Sequence, residues 1–251
     1  MTSIDTAKTV SVITVTYNNA PGLRATLASL AKLSAPPLEV IVIDGRSSDD
    51  TPAVIENHRG QLPIHFVSEA DAGIYDAMNK GQRLAKGHLV HYLNAGDVVW
   101  GEPYLSLDGP CLLPTRICTP EGGQVFEDFV KLHGYGYCHQ GLILPRGHER
   151  YNTLLRIAAD LEMIIATFPQ GLGRLKWARS GGVQFFLGGV SSTRRRGRDR
   201  EIYGVVFRSL PLPKAAWLAA VVFLKGLVPV GLRQRLARGL ARSNAGQNEA
   251  T

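Results

Sequence analysis

The chain of 251 residues is poor in cysteine: Cys111, Cys118 and Cys138 make an odd number and lack zinc-ligand spacing. That excludes a disulfide framework and predicts free thiols in a reducing compartment. No apolar run precedes Val10, so the sequence reads without a secretory leader and predicts a cytoplasmic protein. No uninterrupted apolar stretch approaches the ~20 residues of a membrane span. Aromatic residues are 8% of the chain and do not interleave with its basic stretch, which argues against a nucleic-acid partner. A dinucleotide fingerprint is missing too. The first strand-like segment runs into Tyr17-Asn18-Asn19-Ala20-Pro21, which argues against an NAD-dependent oxidoreductase. Nor does that position carry the glycine- and arginine-rich loop of a pyrophosphorylase. No internal repeat is present.

What is there is an ordinary globular composition, 45% hydrophobic and 20% charged, in a length that suits one α/β domain with a C-terminal extension. The net charge of +7 conceals an asymmetry. Residues 1–169 carry 13 Lys and Arg against 18 Asp and Glu, a balance of −5. Residues 170–251 carry 15 against 3, a balance of +12. The acidic part suits metal or hydroxyl chemistry; the basic part suits anionic partners such as diphosphates or phospholipid.

The first hundred residues alternate strand and helix. Val10–Tyr17 and Leu38–Asp44 are apolar runs of the kind buried on both faces of a parallel sheet, and Ile64–Ser68 and Leu89–Leu93 read as a third and a fourth strand. Between them the pattern predicts a helix striped by Leu23, Leu27, Leu30 and Leu33, one starting near Thr51-Pro52, and one over Ile74–Ala85. The order βαβαβαβ predicts right-handed crossovers and a largely parallel sheet. After Asp97 the rhythm breaks. Leu142–Leu144 and Gly182–Gly189 read as strands, Thr153–Phe168 as a helix, Arg194–Arg200 as an arginine-dense loop, and Ala215–Leu224 as an apolar run. The expected organisation is a domain over 1–205, with halves at about 10–97 and 98–205, then a basic and apolar extension over 206–251.

Four strand ends carry polar residues that a parallel sheet would aim at one edge, where open α/β folds bind ligands. They are Thr16-Tyr17-Asn18, Asp44 with the loop through Ser47 to Asp50, Ser68-Glu69 running on to Gly81, and Leu93-Asn94-Ala95-Gly96-Asp97. An aspartate leaving a buried strand, as Asp44 does, requires hydrogen-bond partners, which a base or ribose would supply. Asp49 and Asp50 read equally well as caps of the next helix. Asp97 suits a hard divalent cation, although Asn, Gly and Asp also favour a plain turn.

These residues carry a resemblance. The runs Val12–Asn18, Val42–Asp49, Glu69–Gly81 and Leu93–Asp97, with His139-Gln140, Ala158-Ala159-Asp160 and Gly188–Ser192 later, resemble family 2 glycosyltransferases of the GT-A fold, above all the bacterial exopolysaccharide and colanic-acid type. The resemblance spans roughly residues 10–205. It implies an α/β, Rossmann-like, mostly parallel sheet flanked by helices, with a C-terminal helical extension that associates with a membrane. It places the nucleotide at Thr16, Tyr17 and Asn18, and the base or ribose at Asp44 with Ser47 in its loop. Asp71, Gly73, Asn79, Lys80 and Gly81 would shape the nucleotide-sugar pocket. The usual Asp-x-Asp metal motif falls on Asn94–Asp97, where one carboxylate, Asp97, remains to hold Mg²⁺ or Mn²⁺. His139 would position acceptor or diphosphate, with a core histidine as the alternative. Asp160, in an apolar helix over Leu154–Ile165, matches the catalytic base. Glu162 is the fallback, pointing about 200° away around the helix. Gly188–Arg200 reads as a mobile lid or a solvated basic loop. The processive signature Gln-x-x-Arg-Trp is absent, Gln184 being followed by Phe185-Phe186-Leu187, which predicts one sugar per acceptor. The expected function is inverting transfer from a nucleotide sugar, a UDP-sugar by default, to a polyprenyl-diphosphate-linked saccharide at the inner face of the cell membrane. A non-catalytic nucleotide-sugar-binding or membrane-scaffold module is the alternative.

Overall fold

The computed structural model describes residues 8–119, 123–127, 135, 137–187 and 195–227. The expected Gly188–Ser192 match, much of the supposed lid, and everything after Leu227 lie outside them. The predicted alternation is present as β1 (Val10–Thr16), α1 (Ala20–Leu30), β2 (Glu39–Asp44), α2 (Thr51–His58), β3 (Ile64–Ser68), α3 (Ile74–Leu84) and β4 (Leu89–Tyr92). There follow β5 (Val98–Gly101), β6 (Cys111–Leu112), β7 (Thr115–Cys118), β8 (Gln124–Glu127), β9 (Leu142–Pro145), α4 (Ala159–Thr167), β10 (Lys176–Trp177), β11 (Gly181–Phe186), α5 (Arg195–Ser209) and α6 (Leu212–Leu227).

The main sheet has the order β10-β6-β9-β4-β1-β2-β3. β4, β1, β2 and β3 run parallel, and β9 pairs antiparallel with both β4 and β6. The chain winds outward from β1 to β3, then returns to place β4 on the other side of β1. That reversal is a topological switch point, and it opens a crevice beyond the carboxyl ends of β1 and β4.

Each central strand is buried on both faces, and the period-2 alternation sorts its residues between two cores. Val12, Val40 and Val42 face Leu23, Leu27, Leu30, Val54 and Ile55 of α1 and α2. Ile13, Ile41 and Ile43 belong to the other core with Ala77 and Met78 of α3, Met163 and Ile164 of α4, Val205 and Val206 of α5, and Ala215 and Leu218 of α6. A smaller sheet, ordered β5-β11-β7-β8, starts directly after Asp97.

Three expectations are corrected. The helix foreseen over Thr153–Phe168 begins only at Ala159, because the backbone before it is held by a distant carboxylate rather than by helical bonds. Arg195–Ser209 is helix where a loop was expected; arginine is a good helix former, and Val205 and Val206 bury one side. The boundary drawn at 205/206 therefore falls inside α5, and α5 and α6 contribute to the main core instead of forming a separate extension.

Candidate active site

The crevice is built from strand-end loops that hydrogen-bond to one another. After β1, Asn18 takes a left-handed backbone at φ 47°. Its N–H donates to Ser47 Oγ at 2.8 Å, and its side-chain oxygen accepts the Ser48 N–H at 2.8 Å. Asp49 ties the same two loops together: it accepts from the Ala20 N–H at the start of α1 and from the Thr51 N–H and hydroxyl at the start of α2. Asp49 is thus the shared cap of two helices, whereas Asp50 makes no side-chain cap bond.

Asp44 is buried at the end of β2, and its carboxylate is satisfied from within. It accepts from the Ser47 N–H and hydroxyl and from the Ser68 hydroxyl at 2.6 Å. This is the hydrogen bonding that a buried aspartate demands, supplied here by the chain. Tyr17 is 67% exposed above it. A Cβ on Gly45 would stand 2.7 Å from an Asp71 carboxylate oxygen and 3.3 Å from the Tyr17 ring, so only glycine lets these side chains close over the turn. Asp71 in turn accepts the Gly73 N–H at 2.9 Å, and Gly73 opens α3 at φ 120°.

Three residues assigned to the pocket are structural supports. Asn79 is buried, with its amide paired to the backbone of Tyr151 at 2.8 and 2.9 Å. Lys80 reaches back to the Ala70 carbonyl at 2.7 Å and to Glu69 and Asp76, locking the loop before α3. His139 is enclosed, with Nε2 bonded to the Tyr151 hydroxyl and its ring against Tyr92. Burial pushes the imidazole down to about 3, so it stays neutral. It occupies the place of a core histidine.

Asn94–Asp97 closes the other side of the switch point. Asn19 donates to the Ala95 carbonyl at 3.0 Å, and Thr26 of α1 donates to the Asp97 carbonyl at 2.8 Å while accepting the Gly96 N–H. Asp97 lies where the two sheets meet: the Phe186 N–H, at the end of β11, donates to its Oδ1 at 3.2 Å. Burial lifts this carboxyl to about 7. Two polar atoms here have no protein partner, Asn94 Oδ1 and Thr16 Oγ1. Unsatisfied buried oxygens at the rim of a crevice ask for a ligand. The donor chemistry, a carboxylate and an amide oxygen in one turn, fits a hard divalent cation completed by water and phosphate oxygens. Among the described residues no cluster of three His, Cys, Asp or Glu side chains could hold one alone.

Asp160 stands in the first turn of α4, partly exposed, its Oδ1 accepting the Leu161 N–H at 2.8 Å. Tyr75 of α3 stacks on Tyr151 at 5.4 Å, and both phenols stand close enough to feel the Asp160 charge. Burial raises the Asp160 carboxyl to about 6, the range of a general base. Glu162 points elsewhere and pairs with Arg208 at 2.7 Å. Residues that the sequence reading missed are Thr26, Tyr75, Tyr151 and Glu201. Thr26 alone carried a signal, a polar residue on the leucine stripe of α1.

Residues 11–103 match the family model of Glycosyl transferase family 2. An uncharacterized glycosyltransferase of Mycobacterium tuberculosis is 41% identical over 92 residues, which cover 36% of this chain and only 35% of that relative. A PGL/p-HBAD biosynthesis glycosyltransferase of Mycobacterium bovis is 29% identical over 180 residues, 63% of this chain and 69% of the relative. Among solved structures, Staphylococcus aureus TarS 1–349 in complex with UDP-GlcNAc superposes with a TM-score of 0.65 at 16% identity, over 84% of this chain and 70% of that one. The mannosyltransferase PcManGT from Pyrobaculum calidifontis, in complex with GDP-Man and Mn²⁺, gives 0.55 at 18% identity, over 94% and 80%. The fold is α/β and GT-A-like, a mostly parallel sheet flanked by helices, and the family and relatives it matches are glycosyltransferases.

Proposed function

We propose that the chain is an inverting, non-processive glycosyltransferase that moves one sugar from a nucleotide-sugar donor to a hydroxyl of a lipid-linked saccharide, in cell-surface polysaccharide synthesis. The observation that carries this reading is Asp160, a carboxyl raised to about 6 at the start of α4 on the sheet face that α3 covers, α3 itself starting at the crevice. In the transfer Asp160 takes the proton of the acceptor hydroxyl as that oxygen bonds to the anomeric carbon. The bond from that carbon to the diphosphate oxygen breaks, the nucleoside diphosphate leaves, and configuration inverts. Tyr17, Asn18 and the Asp44–Ser47 loop hold the nucleotide. Asp97 and Asn94 would hold Mg²⁺ or Mn²⁺, which when bound stabilises charge on the leaving diphosphate. A UDP-sugar is the proposed donor.

A membrane-side acceptor is supported by α6. Its outer positions Pro213, Ala216, Trp217, Ala220 and Phe223 are exposed and apolar, opposite the buried Ala215 and Leu218. Among the described residues no helix is long and apolar enough to cross a membrane. A helix with an apolar outer face and a basic chain segment around it suits an in-plane site on anionic lipid, and a polyprenyl-diphosphate acceptor would be found there.

The test is a donor panel: purified protein, each common nucleotide sugar, Mn²⁺ or EDTA, with and without a membrane-lipid extract, reading free nucleoside diphosphate. Release from one donor, metal-dependent and raised by the extract, is expected. Donor binding without turnover would instead support a non-catalytic sugar-nucleotide module, the reading that the lone carboxylate of Asn94–Asp97 favours.

A further inference from the structure

The loop immediately before α4 is held from outside its own sequence. Glu201 of α5 accepts three successive backbone N–H groups: Arg156 at 3.1 and 3.2 Å to its two oxygens, Ile157 at 2.8 Å and Ala158 at 3.1 Å. Ala158 is the N-cap of α4 and offers no side-chain cap, so Glu201 satisfies donors that the helix start would otherwise leave open. The Tyr75 hydroxyl donates to the Ile157 carbonyl at 2.9 Å. Ile157 is therefore gripped at both poles of its backbone, its N–H from α5 and its carbonyl from α3. Asp160 follows three residues later.

We propose that Glu201 is a positioning residue for Asp160, gripping residues 156–158 so that the first turn of α4 presents the carboxylate beside Tyr75 and Tyr151. The consequence is that α5, whose arginine-dense start reads from the sequence as a loop, is required by the catalytic unit. The kinetic part of this inference rests on the transferase reading; the placement of Asp160 does not. The charged and titratable groups around Asp160 are Tyr75 from α3, Tyr151 from the preceding loop, and Glu201 from α5, with Arg156 beside Glu201. Glu201 adds to the burial that raises Asp160. Removing its charge should lower the Asp160 titration through space, and freeing the loop in Glu201→Ala should move it further as the carboxylate leaves Tyr75 and Tyr151, a second shift that charge alone would not produce.

The experiment compares Glu201→Gln and Glu201→Ala with the wild type in the full chain. Asp160 is followed by carboxyl-carbon NMR across pH, and kcat and donor KM are measured with the donor found above. Glu201→Gln keeps a carbonyl acceptor and should move the Asp160 titration down. Glu201→Ala frees the loop and should lower kcat by roughly 10- to 100-fold, with donor KM unchanged. Equal Asp160 titrations in folded Glu201→Gln and folded Glu201→Ala overturn the proposal. If Glu201→Ala does not fold, Glu201→Asp, which keeps the charge but not the reach, replaces it, and an Asp160 titration unchanged from the wild type overturns the proposal. If the wild type transfers no sugar, the functional reading fails, and the NMR titration still tests Glu201.

Discussion

The two halves of the site are held together in different ways. On the proposed donor side, the loops after β1 and β2 are joined to each other: Asn18 to Ser47 and Ser48, Asp49 to the starts of both α1 and α2. Each loop follows directly from a buried strand, so the partners are brought together once the parallel sheet forms. On the proposed acceptor side, the backbone just before Asp160 is held by Tyr75 and Glu201, which come from helices far away in sequence on either side of it. The donor side is a set of local turns on a rigid edge; the acceptor side is an assembly that exists only when α3, α4 and α5 are packed. Substitutions on the donor side should therefore appear in donor affinity, and substitutions on the acceptor side in turnover.

The largest effect is expected from Asp160→Asn, which removes the base. kcat should fall by roughly 10²- to 10⁴-fold while donor affinity by calorimetry stays unchanged. In the wild type, kcat should decline on the acid side with an apparent pKa near 6, because the base must be unprotonated to act. Equal losses in affinity and turnover would erase the distinction between the halves.

Asp97→Asn is expected next, with turnover greatly reduced and the response to Mn²⁺ lost. Its stability effect has the opposite sign. The native Asp97 carboxyl titrates at about 7 against an ordinary value of 3.8, so the native state holds a proton that the unfolded chain releases. The contribution to stability is present below about pH 4 and is lost as pH rises through about 7. Asparagine removes that loss, so the variant should melt a few degrees higher than the wild type at pH 8 and show no gain at pH 4, by thermal denaturation without metal.

Ser47→Ala cuts the hydroxyl that joins Asp44 to the Asn18 N–H. Donor KM should rise by roughly 5- to 10-fold with kcat nearly unchanged, as expected for about 1 kcal/mol of lost hydrogen bonding. Tyr75→Phe, which removes the hydroxyl on the Ile157 carbonyl, should do the reverse and lower kcat by roughly 3- to 5-fold at constant donor KM. A KM effect from Tyr75→Phe, or a kcat effect from Ser47→Ala, would show that the halves are not separable.

The strands and helices of the first hundred residues were legible because their signals are local. Continuous β-branched runs bounded by turn residues favour strands, and in a parallel sheet the polar residues that end them emerge at one edge. Asp97 was legible as a candidate for the same reason, standing at the end of an element; Asp160 came from the resemblance, inside a helix expected to start earlier than Ala159. Their partners were not. Nothing near Asp160 in the sequence points to Glu201, and nothing near Asp97 points to the Phe186 N–H. The arginine-dense segment reads as a loop because charge density carries no helical period; the helix it starts runs on to Val205 and Val206, which are buried in the main core.

The sequence by itself determined the parallel sheet, the edge at which the polar strand ends gather, and the candidate residues for chemistry, since period and residue type are properties of short segments. Only the tertiary structure decided which of those residues reach the crevice and which hold it up. Asn79, Lys80 and His139 belong to the supports, because their hydrogen bonds are taken by backbone and side chains that packing brings beside them. Whether a polar group is free to meet a ligand depends on which neighbours desolvate and bond it, and those neighbours are chosen by the fold.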